Sequence, residues 1–148
     1  MSKPYILLVE DNADDIELTQ RAFAKNHIAN EVVVMRDGAA AAEFLFDENR
    51  VRARSMPALI LLDLSLPKVS GLELLQKIRA NAATKLLPTV ILTSSKQEED
   101  LVEGYRLGVN SYVRKPVDFN EFVEAVRQVG LYWLVLNEPP PPAGGGGM

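Results

Sequence analysis

The chain alternates between short blocks of consecutive apolar residues and longer segments in which apolar residues recur every three or four positions. The blocks are "YILLV" (5–9), "EVVVM" (31–35), "ALILL" (58–62), "TVILT" (89–93) and the shorter "SYVR" (111–114). Continuous apolar runs, in contrast to alternating ones, suit parallel strands covered on both faces. Helical spacing fills the gaps. Residues 14–25 carry Ile16, Leu18, Ala22 and Phe23, residues 37–46 are rich in Ala and end in apolar residues, and residues 71–80 place Leu72, Leu75 and Ile78 on one face. Residues 97–107 open with Glu98, Glu99 and Asp100, acids that favour a helix N-terminus. A last helix begins at Asp118, with Phe122, Val126, Val129 and Trp133 along its apolar face. Five strands alternating with five helices predict a doubly wound α/β fold, a five-stranded parallel sheet joined by right-handed crossovers. Ligands of such sheets bind beyond the carboxyl ends of the strands. The residues that follow the strands are therefore the ones to read for chemistry.

The first strand is followed by Glu10 and Asp11, and the third by Asp63. In a sheet of flavodoxin-like order 2-1-3-4-5, strands 1 and 3 are neighbours, so three carboxylates are expected in one pocket. Two unit charges about 4 Å apart repel by roughly 4 kcal/mol at an effective dielectric of about 20. Such a cluster calls for a cation, and oxygen ligands in small number suit Mg²⁺, which keeps some waters and shares itself with phosphate. Strand 4 ends in Thr93, and strand 5 is followed by Lys115. A hydroxyl, an ammonium and a divalent cation around an aspartate form a site for a phosphoryl group, whose transfer is catalysed mainly by positioning and charge neutralisation. Asp63 is the candidate nucleophile, and an ionised carboxylate needs no separate base.

Four stretches, "LLVEDN" (7–12), "LLDLSLPKVSG" (61–71), "VILTSS" (90–95) and "SYVRKP" (111–116), occur in order and at family-like spacing. With them the chain resembles the receiver domain of two-component response regulators over residues 3–129. The resemblance implies that Asp63 is the phosphoacceptor for a phosphohistidine of a sensor histidine kinase. It implies Mg²⁺ held by Asp11 and Asp63, with Glu10 assisting and Ser65 contributing its backbone carbonyl. Thr93 and Lys115 would hold the phosphoryl oxygens, and Tyr112 stands where the family has a rotating aromatic. The implied output is a switched surface formed by strand 5 and the helices on either side of it, not turnover of a substrate. The loop at residues 50–57, the stretch "NAATKLLPTVILTSS" and the apolar extension of the last helix further resemble the single-domain response regulators of bacterial phytochromes, which implies a phytochrome kinase as partner. A chemotaxis-type adaptor, or a phosphorelay receiver with a non-photoreceptor kinase, is the alternative. A phosphohydrolase of the haloacid-dehalogenase class also uses a strand-end aspartate, but it wants a second aspartate two residues on, where this chain has Ser65. A scaffold without phosphorylation would not need Asp11, Asp63, Thr93 and Lys115 together.

Composition narrows the remaining choices. The chain has 148 residues, one domain's worth, and a net charge of −4 without a basic stripe, which disfavours nucleic-acid binding. Cys is absent, so disulfides and thiolate metal sites are excluded. The one histidine, His27, makes no zinc site alone and is expected at the surface. Neither a signal-peptide pattern nor a membrane-length apolar run is present, and a cytoplasmic location is expected. A receiver domain over residues 3–136 is expected, followed by a disordered tail, "NEPPPPAGGGGM" (137–148). The segment "LYWLVL" (131–136) is apolar all round, unlike a surface helix. Tyr132, Trp133 and Leu134 are therefore assigned to a homodimer contact through the last strand and helix.

Overall fold

In the computed structural model, the structure describes residues 5–47, 56–64, 66, 68–93, 105–106, 108–114 and 119–131. The elements are β1 (Tyr5–Val9), α1 (Ala13–Lys25), β2 (Glu31–Met35), α2 (Gly38–Phe46), β3 (Leu59–Leu62), α3 (Gly71–Ala80), β4 (Thr89–Thr93), β5 (Ser111–Arg114) and α4 (Phe119–Leu131). The strands form one sheet in the order β2-β1-β3-β4-β5, with every neighbouring pair parallel. Four helices, not five, stand among the described residues. The helix expected over residues 97–107 lies outside them, apart from Tyr105 and Arg106, which are helical.

Strand periodicity divides the apolar runs between two layers. Leu7, Val9, Ile60, Leu62 and Ile91 face α2 and α3, where they bury Ala41, Leu45, Leu74, Leu75 and Ile78. Ile6, Leu8, Leu59, Leu61, Val90 and Leu92 face the other way, onto Ala22 and Phe23 of α1 and Phe122 and Val126 of α4. Every residue of β1 and β3 is buried, as continuous apolar runs require. The face of α3 differs slightly from expectation. Leu74 is fully buried alongside Leu75 and Ile78, while Leu72 is only partly covered. Adjacent Leu74 and Leu75 widen the apolar stripe towards the breadth that a helix lying on a sheet presents.

The helices begin where short polar side chains can take up orphan amides. Asn12 caps α1 by accepting from the Asp15 amide at 3.0 Å, Asp37 caps α2 from Ala40 at 2.7 Å, and Ser70 caps α3 from Glu73 at 3.2 Å. Asp14 and Asp15 then stand in the first turn of α1, where the helix dipole favours them. At the other end of α1, Asn26 donates from its side chain to the carbonyls of Ala22 and Val123, both at 2.9 Å, and ties α1 to α4. His27 is exposed. Among the described residues, no helix is long and apolar enough to cross a membrane.

Candidate functional site

The sheet hydrogen bonding runs one residue past the ends of β1 and β3, and this carries the acids to one place. The Glu10 amide donates to the Met35 carbonyl, and the Asp63 amide to the Val9 carbonyl, each at 3.0 Å. With Val9 paired to Leu62, Glu10 and Asp63 continue the same ladder side by side. Carboxylate oxygens of Glu10, Asp11 and Asp63 all lie within 4.8 Å of one another. Glu10 and Asp63 are 1% and 7% exposed, whereas Asp11 is open to solvent. Buried carboxylates gathered with a third at the mouth make an oxygen-ligand site of the kind hard divalent cations occupy. Capping does not account for these acids, because Asn12 performs that task for α1.

The backbone around Asp63 is held by close approaches that only glycine permits. A Cβ on Gly71 would meet the Asp63 carbonyl oxygen at 2.3 Å, and the Gly71 amide donates to the Leu64 carbonyl at 3.1 Å. A Cβ on Gly38 would lie 2.0 Å from the Val69 carbonyl oxygen. The segment after Asp63 is thus pressed against the start of α3 on one side and the start of α2 on the other. Lys68 adopts φ 67°, in the left-handed region, and its Nζ lies 3.6 Å from Asp37 Oδ2. The bond from the Ala40 amide, with help from Lys68, holds the Asp37 carboxyl below the usual carboxylate range.

The other expected residues divide into those placed and those not. Thr93 is the last residue of β4, opposite Arg114, and Tyr112 pairs with Ile91 across β4 and β5. Thr93 therefore ends two strands along from β1, on the same edge as the acids. Ser65 and Lys115 lie outside the described residues, as do Tyr132, Trp133, Leu134 and the tail. One residue at this edge was not anticipated. Arg36 follows β2 and donates from Nη2 to the Asp11 carbonyl at 3.2 Å. The rule that singles out the residues after β1 and β3 singles it out equally well.

The sequence matches the response regulator receiver domain family over residues 6–127. The chain is a response regulator receiver. Response regulator Rcp1 of Synechocystis sp. is 39% identical over 129 residues, covering 87% of this chain and 88% of Rcp1. A solved structure of the phosphorylated cyanobacterial phytochrome response regulator RcpA superimposes with a TM-score of 0.86 at 38% identity, covering 94% of this chain and 99% of RcpA. The bacteriophytochrome response regulator RtBRR is 53% identical, with a TM-score of 0.73, over 97% of this chain and 87% of RtBRR. Receivers take a phosphoryl group on an aspartate, bind a divalent metal and work with a histidine kinase of a two-component system. The acidic cluster of Glu10, Asp11 and Asp63 fits that metal by its all-carboxylate donor set.

Proposed function

We propose that this receiver accepts a phosphoryl group from a sensor histidine kinase onto Asp63, and that the modification switches a protein-binding or dimerisation surface. The observation that carries the reading is the convergence of Glu10, Asp11 and Asp63 within 4.8 Å, with the acceptor carboxylate itself 7% exposed. Asp11 and Asp63 would hold Mg²⁺ by their side chains, with Glu10 assisting and the Ser65 carbonyl as a further ligand. The ion would neutralise the carboxylates and the charge on the transferring phosphoryl group. Asp63 presents its oxygen from a backbone fixed to Val9 and pressed against Gly71, so little reorganisation precedes attack. Thr93 and Lys115 would then bind the phosphoryl oxygens. Movement of Thr93 towards them would let Tyr112 turn inward and change the surface of β5 and the helices beside it.

The likeness to RcpA and RtBRR supports a bacterial phytochrome as the kinase, and so red-light signalling as the input. We assign Tyr132, Trp133 and Leu134 to a homodimer contact, supported by the all-round apolar character of "LYWLVL". Incubation with acetyl phosphate, read by intact mass, tests the central step. The wild type should gain one phosphoryl group in the presence of Mg²⁺ and none without it, and Asp63→Asn should gain none. Equal labelling of Asp63→Asn would place the acceptor elsewhere.

A further inference from the structure

We propose that Arg36 is a donor-binding residue, a fixed guanidinium at the mouth of the site that receives the phosphoryl oxygens of the incoming phosphodonor; this rests on Asp63 being the acceptor. A dianionic donor brings two negative charges to a site whose three carboxylates are matched by one divalent cation and, in the proposed function, Lys115. A further cation beside the cluster would favour its approach. Arg36 adjoins the cluster through the main chain of Asp11. It follows the last residue of β2, is exposed, and is held at the rim by its 3.2 Å bond to the Asp11 main-chain carbonyl. Among the described residues this is the only bond it makes, so the rest of its fork remains available. A guanidinium offers five donors in a geometry suited to two phosphoryl oxygens at once. Its anchor is a neutral carbonyl and not a cluster carboxylate, so the positive charge is not cancelled where it is held.

In the transfer, an Asp63 carboxylate oxygen forms the new bond to phosphorus, and the bond from phosphorus to the leaving group breaks. With acetyl phosphate, acetate departs with the electron pair. Arg36 exchanges no proton. It lowers the repulsion on approach and holds the group in line.

The test compares wild type, Arg36→Ala and Arg36→Lys with two donors of different charge, acetyl phosphate and the less anionic phosphoramidate. It is run at saturating Mg²⁺, with Mg²⁺ affinity measured separately. Arg36→Ala should lower the rate constant for acetyl phosphate about fivefold at low salt and the rate for phosphoramidate by less, with the gap closing as salt screens the charge. Arg36→Lys should recover most of the rate, and Mg²⁺ affinity should not fall in either variant. Unchanged rates in Arg36→Ala would overturn the proposal. So would a loss of Mg²⁺ affinity with the rate restored at saturating Mg²⁺, which would make Arg36 a positioning residue for Asp11. No labelling of the wild type by either donor would instead count against the phosphoacceptor reading on which the proposal rests, a separate failure read in the same experiment.

Discussion

The two edges of the sheet handle charge in opposite ways. At the carboxyl ends of the strands, Glu10, Asp11 and Asp63 bring like charges within 4.8 Å. At the amino ends of β4 and β5, one cation is surrounded by neutral acceptors. Arg79, near the end of α3, donates to the carbonyls of Gly108 at 3.0 Å, Lys85 at 3.1 Å and Leu87 at 2.9 Å, and to the Asn110 side-chain oxygen at 3.1 Å. The same Asn110 oxygen accepts from the Thr89 amide at 2.8 Å. A single guanidinium thereby joins α3 to the segments that lead into β4 and β5. Partial burial lowers the pKa of Arg79, and the four acceptors offset that cost. Charge that serves the fold is closed off by matching dipoles. The carboxylates at the other edge are gathered against their own kind, an arrangement that suits a divalent cation.

This contrast can be broken at its supports. The largest expected effect is at Gly71, where a methyl group has no room beside the Asp63 carbonyl. Gly71→Ala should lose about 3 kcal/mol in urea unfolding, together with much of its labelling by acetyl phosphate, because the backbone of Asp63, the proposed acceptor, must move. Wild-type stability and labelling in that variant would show that the close approach does not fix Asp63. A smaller effect is expected at the opposite edge, and it sharpens the comparison. Arg79→Ala should cost about 2 kcal/mol by the same measurement, whereas Asp63→Asn should stay within about 1 kcal/mol of wild type or gain stability, since it relieves repulsion among the acids. A larger loss from Asp63→Asn than from Arg79→Ala would reverse the roles given to the two edges.

Much of this arrangement is legible in the chain itself. Runs such as "YILLV" and "ALILL" can satisfy both layers of a parallel sheet only as buried strands, and the ends of those runs locate Glu10, Asp11 and Asp63. Helix starts follow from Asn12, Asp37 and Ser70, although residues 14–25 start one position late, because Asn12 takes the capping role and Ala13 the first turn. The Arg79 cluster leaves almost no trace in the sequence. Its partners are main-chain carbonyls, which every residue has, in segments brought together only by the crossover. Gly71 is visible as the first residue of a helix, but its need to be glycine depends on the Asp63 carbonyl eight residues earlier. Arg36 was open to discovery, since it follows a strand as Asp63 does. An arginine after a strand reads as an ordinary surface residue until its bond to Asp11 is seen.

The most direct test of the central claim is a crystal structure grown with Mn²⁺ and beryllofluoride, the latter a mimic of the phosphoryl group, with the metal located by its anomalous signal. One Mn²⁺ peak among Asp11, Asp63 and Glu10, with beryllofluoride bonded to an Asp63 carboxylate oxygen, is the predicted result. A metal bound away from these three residues, or beryllofluoride on any other side chain, would contradict it.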